Sequence, residues 1–228
     1  MNLRRNRLRS IGLALIAVAM PMAIGAASAQ ATGNWRVEGA NIGAGEEREF
    51  VAEEDQMFEF LVTTLNLEIL CGELEINEGK LFAGGSSLAA FVFKQCESFF
   101  TNPTLKRASA CDPVGGTIKL LAKGLLLLHN KKTYERFSPD LGENFGTVSF
   151  GEACSLVGKW GISGSFVIED CSGNGLEAEL VRHLVQQAPA ALFPSDVLLF
   201  GSKAMRLDGS TRLKLAGADE GKFWSGLT

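Results

Sequence analysis

The chain has 228 residues, 46% hydrophobic and 21% charged, with 22 Lys and Arg against 26 Asp and Glu. An acidic balance makes nucleic acid and anionic membrane surfaces poor partners. With two histidines and no CxxC spacing, neither a zinc site nor a bound cofactor is signalled.

Arg4, Arg5, Arg7 and Arg9 open the chain, a largely apolar run of 14 residues follows from Ile11 to Ile24, and Ala27-Ser28-Ala29 is a small-x-small site. Positive head, short apolar centre and small-residue exit are the three parts of a secretory signal. The run is shorter than the ~20 residues that span a bilayer. The reading is a cleaved signal peptide over residues 1–29 and a secreted or periplasmic β-rich domain over 30–228. Losing the four leader arginines leaves 18 Lys and Arg against 26 Asp and Glu, a net of −8, and no later segment is long and apolar enough for a transmembrane helix.

Gly33-Asn34-Trp35 precedes a strand-like Trp35-Arg36-Val37. It resembles the G-x-W at the first strand of lipocalins, small barrels that hold apolar ligands, although the second lipocalin signature, around T-D-Y, is missing. The plainer use of Trp35 is packing under the end of a barrel or sandwich. From Glu46 to Glu59 the chain is strongly acidic, but without the spaced Asp/Asn ligands and central glycine of a calcium loop. A solvated acidic face is the expectation there.

Further on, the dominant period is two, the signature of half-buried strands. Phe58, Phe60 and Val62 alternate, as do Leu65, Leu67 and Ile69 towards Cys71. Leu88 to Phe93 reads as an aromatic strand, Thr117 to Leu128 as a longer one with a bulge or bend at Gly124, and Val148 and Phe150 as part of a short one. Trp160 to Ile168 gives the clearest alternation. Glycines such as Gly84-Gly85 and Gly115-Gly116 mark the joints. Glu177 to Gln187 departs from the pattern: its helix formers, with Leu and Val at helical spacing before Pro189, predict a short helix. Lys203–Leu207 and Thr211–Leu215 predict a hairpin around Asp208-Gly209-Ser210, with the three-residue loop favoured because it gathers more apolar side chains on one face. The fold class is therefore all-β, a single antiparallel sandwich or irregular barrel, with one short helix near the C-terminus.

Cys71, Cys96, Cys111, Cys154 and Cys171 lie in an exported chain, where thiols usually pair, and an odd count leaves at least one over. The favoured bond is Cys96 to Cys111, the closest pair, across a polar loop. Cys71 to Cys154 is the second, and Cys171 is the free thiol.

Catalytic residues are not signalled. His183 lacks a G-x-S-x-G, S-x-x-K or H-E-x-x-H context, and His129 beside Lys131 and Lys132 reads as a solvated turn. A carboxylate pair stays open as a hydrolase site, because pair separation needs a structure. An outer-membrane barrel fits poorly with four Trp and Tyr in all.

The pattern from Cys71 through Gly79, Cys96, Cys111, Thr117–Leu128, Phe145–Phe150, Cys154 and Gly161–Ser165 is similar to a set of uncharacterised exported bacterial proteins with signal peptides and spaced cysteines. The resemblance covers about half of the chain after the leader. It implies a secreted β domain and brings no activity, ligand or partner; Cys171 is extra to it. Three functions follow as expectations: a non-catalytic binding or structural module, a lipocalin-like carrier of small apolar ligands, or a hydrolase using a carboxylate pair.

Overall fold

The computed structural model describes residues 33–53, 57–172 and 175–227, so the proposed signal peptide lies outside the described residues. The strands, in chain order, are β1 (Asn34–Val37), β2 (Ala40–Asn41), β3 (Glu47–Glu53), β4 (Phe58–Val62), β5 (Leu67–Phe82), β6 (Ser86–Phe100), β7 (Lys106–Arg107), β8 (Thr117–His129) and β9 (Lys132–Pro139). They continue with β10 (Asn144–Phe150), β11 (Gly158–Gly164), β12 (Phe166–Asp170), β13 (Arg182–Gln187), β14 (Leu198–Phe200), β15 (Lys203–Asp208), β16 (Ser210–Leu215) and β17 (Trp224–Leu227). The chain is all-β.

Eight strands close a barrel. β3 pairs with β5, β5 with β6, β6 with β8, β8 with β9, β9 with β12, β12 with β13, β13 with β16, and β16 returns to β3. Every pairing is antiparallel and the strands follow in chain order, so this is an up-and-down barrel with no free edge of its own. Eight strands leave an interior just wide enough for side chains to fill. Phe91, Phe137 and Phe166 occupy it, with ring centroids 5.2 Å apart for Phe91 and Phe137 and 5.2 Å for Phe137 and Phe166.

Four excursions interrupt the meander, all from the same barrel end. They are β4 between β3 and β5, β7 between β6 and β8, β10–β11 between β9 and β12, and β14–β15 between β13 and β16. With the extended starts of β5 and ends of β6 they build a second sheet in the order β10-β11-β14-β15-β4-β5-β6-β7. This sheet curls until β10 lies along the first half of β8, where a side chain at Gly146 would overlap the Lys119 carbonyl. Phe58 and Phe60 meet Phe93 at 5.3 and 4.8 Å and join the two layers into one continuous core.

The opposite end is covered by a small sheet, β17-β1-β2. Trp35 and Trp224 are each 1% exposed, their rings 5.8 Å apart. The Trp35 Nε1 donates to the Ser86 carbonyl at 3.0 Å, tying this sheet to the start of β6. A separate apolar cluster, Leu127, Tyr134, Val167 and Phe193, covers the outside of the wall under residues 188–197.

Several expectations are corrected. The predicted helix over 177–187 is not formed, because its second half is β13, where His183 and Val185 face the core and Arg182 and Gln186 face solvent. Ladders to β12 and β16 on both edges outweigh the helix propensity of the segment. Lys203–Leu207 and Thr211–Leu215 do not form a hairpin. β15 pairs with β14 and β4 in the second sheet, β16 with β13 and β3 in the barrel, and Asp208-Gly209-Ser210 is the crossing between layers. The expected strand from Trp160 to Ile168 breaks at Gly164, whose φ of 89° turns the chain from one sheet to the other. Gly124 is not a bulge, for the ladders through it keep register on both sides.

The disulfides also differ in pairing. Cys71 bonds Cys96 and Cys111 bonds Cys154, while Cys171 is exposed and unbonded. Cys71 and Cys96 sit directly opposite in the β5–β6 ladder, so strand register and not loop length decides the partner of Cys96. Cys111 then meets Cys154 because the β6–β8 and β10–β11 excursions are neighbours, as the Pro113–Phe150 bridge records.

Candidate functional site

The chemistry-bearing side chains gather in the barrel interior, at the end beneath Trp35 and Trp224. Period-two alternation sends Ser87 of β6, Gly124 of β8, Thr133 and Glu135 of β9, Asp170 of β12 and His183 of β13 inward, each in the row that carries core residues further along its strand. This end is therefore lined with polar groups, while the middle is aromatic.

Glu135 is 3% exposed and hydrogen-bonds Ser87 Oγ. Burial pushes its carboxyl up to about 8, against the opposing pull of the Ser87 bond. At neutral pH it is mostly an uncharged acid, able to donate as well as accept. Gly124 makes the space: a Cβ there would overlap both Ser87 Oγ and the Glu135 carboxyl.

Asp170 and His183 form the second group, both side chains 0% exposed. The His183 Nδ1 lies 2.6 Å from Asp170 Oδ2, and its Nε2 lies 2.9 Å from the Trp224 carbonyl oxygen. The indole of Trp224 meets the His183 ring edge-on at 4.3 Å. Burial raises the Asp170 carboxyl, but hydrogen bonds from His183 and from Ser172 outweigh it and hold the group below the ordinary carboxylate range. A hydrolase relay would need the far nitrogen of this histidine to face a nucleophile. Here a backbone carbonyl occupies that place.

The other residues weighed from sequence lie elsewhere. His129 packs its ring on Phe193 at 4.9 Å, on the outer wall, and is not a solvated turn. The Cys171 thiol is pushed up by burial and by Glu169 and Asp170, which makes it a weak nucleophile. Of the acidic run, Glu46 pairs with Arg48, Glu47 with Lys80 at 2.8 Å, and Glu53 with Arg182 and Lys214, while Glu54 and Asp55 lie outside the described residues. Among the described residues, no group of three or more His, Cys, Asp and Glu could hold a metal ion.

Glu135, Ser87 and Asp170 were not singled out by the sequence reading. The signal for Glu135 is an acid between Thr133 and Phe137 at period two, on the face that Phe137 carries into the core. Asp170 and His183 stand 13 residues apart and meet only through the β12–β13 ladder.

No family model, curated protein or solved structure matches the chain. Among the described residues, no helix is long and apolar enough to cross a membrane.

Proposed function

We propose that the chain is an exported, non-catalytic binding or structural module, a filled β scaffold that works through its outer surface and loops. The observation that supports this reading is the closure of the barrel at both ends around a packed interior. The apolar cavity at the junction of the two layers, walled by Phe58, Phe93, Val185 and Leu213, has a volume of about 50 Å³. Pockets that take drug-sized ligands run to roughly 300–1,000 Å³. The buried Glu135–Ser87 and Asp170–His183 groups are spent on each other and on backbone. Two disulfides between neighbouring strands and loops suit an oxidising compartment.

A carrier of small apolar ligands is the second reading. It is favoured by the eight-stranded meander and by Trp35 beneath one end of it, as the G-x-W resemblance implies. One measurement tests export and two separate the readings. N-terminal sequencing of exported material should begin at Gln30. Titration with an apolar fluorescent probe should show no saturable binding to the folded protein, whereas 1:1 binding would favour the carrier. A panel of glycoside, ester and peptide substrates, with and without chelator, should show no turnover. A specific activity lost on replacing one carboxylate pair would make the hydrolase reading right.

A further inference from the structure

We infer that His183 is an imidazolium inside the folded barrel, and that it forms with Asp170 a buried ion pair which latches β17 onto the barrel wall. Both ring nitrogens face oxygens. The Trp224 carbonyl, 2.9 Å from Nε2, can only accept a hydrogen bond, so Nε2 carries a proton. Asp170 Oδ2 lies 2.6 Å from Nδ1, while its Oδ1 accepts from the Ser172 backbone N–H at 2.6 Å. The Ser172 N–H and hydroxyl both donate to this carboxyl and favour its ionised form, in keeping with its depressed protonation. An ionised Asp170 requires a proton on Nδ1 as well. Against an ionised Asp170, a neutral ring has one N–H and would leave two acceptors facing each other.

The groups around the ring come from three strands: Asp170 from β12, Trp224 from β17, and Leu213 opposite His183 on β16. The charged partner among them is Asp170. Neither half of a pair buried this completely tolerates loss of the other, because the remaining charge is left uncompensated. β17 is thus held by its ladder to β1, by backbone hydrogen bonds to Leu180 and Leu176, and, through the Trp224 carbonyl that the Leu180 N–H also meets, by a charge-assisted bond to the wall.

The test is nitrogen-resolved NMR of the histidine rings in the oxidised full chain at pH 7, with His129 as the internal comparison. Protons on both nitrogens of His183 are expected. A single-tautomer neutral ring would overturn the assignment, and this needs no variant. Hydrogen exchange on Asp170→Asn tests the latch: amides of residues 224–227 should lose protection at least tenfold more than those of Phe91–Phe93 in β6. Equal losses in the two segments would overturn it. Should that variant fail to fold, Ser172→Ala removes one side-chain donor to Asp170, together with the acceptor of the Leu184 N–H, and should give a smaller loss in the same β17 amides. No loss there would overturn the latch as well.

Discussion

Ser87 and Glu135 meet across the barrel wall in the space left by the missing side chain of Gly124. The contact joins β6 and β9, which do not pair with each other, over the strand that lies between them. The position is a glycine because two polar side chains occupy its volume.

Replacing Gly124 with alanine should therefore be costly. The new methyl would displace a buried hydrogen-bonded pair on a wall held by two ladders, and the expected loss is about 2–4 kcal/mol, from overpacking together with a strained buried bond. Gly151→Ala, where nothing lies within 4 Å of the added carbon, is the control and should change stability little. Urea unfolding of both variants at one pH checks it.

Glu135 should make the protein less stable as pH rises. Its folded value of about 8 lies above the ordinary 4.5, so between those limits the folded chain holds a proton that the unfolded chain has released. Stability contributed by that proton is fully present below pH 4.5, falls with rising pH, and is gone above about 8. Glu135→Gln keeps an acceptor for the Ser87 hydroxyl and removes the titration. Its unfolding free energy should gain on wild type steadily from pH 5 to pH 8; a constant difference would refute the assignment.

Asp170 should act in the opposite direction, on the acid side. Its folded value is depressed below the ordinary 3.8, so its contribution is present above that pH and is lost as pH falls through the folded value. Acid unfolding followed below about pH 4 should show a steeper limb in wild type than in Asp170→Asn.

Non-reducing peptide mapping should link Cys71 to Cys96 and Cys111 to Cys154, and Cys171 should alkylate without reduction. Replacing Cys111 and Cys154 together by alanine frees a loop with a sequence separation of 43 residues. The expected loss is about 4 kcal/mol from the entropy of the unfolded chain. Cys171→Ser should be close to neutral.

Much of the wall was legible because alternation of side chains survives wherever one face is buried. Thr117–Leu128 and Phe58–Val62 read almost as they stand in β8 and β4. Layer assignment was not legible, because period two says which face is inside but not inside which sheet. That is why the alternation from Trp160 to Ile168 runs unbroken in the sequence although Gly164 divides the strand, and why β15 and β16 look like partners. The Cys71–Cys96 bond did leave a trace: each stands 12 residues from the Ala83–Gly84 step, around which β5 and β6 fold back. Shortest separation was the wrong criterion where a long hairpin fixes register. The polar end of the barrel was illegible for a different reason, since its members come from five strands and carry no local motif.

The pairing of β1 with β17 sets Asn34 opposite Leu227. Beyond its two-residue pairing with β2, β1 has to wait for residues 224–227 before its other edge is filled, and contacts of such long separation slow folding. Until β17 arrives, His183 and Asp170 have no indole over them and Trp35 lacks the ring it packs against. A chain delivered from its N-terminus can lay down β5, β6, β8 and β9 as successive neighbours, yet the cover over its polar end is incomplete without β17. Removing residues 224–227, the whole of β17, should leave the meander in place and let water into that end.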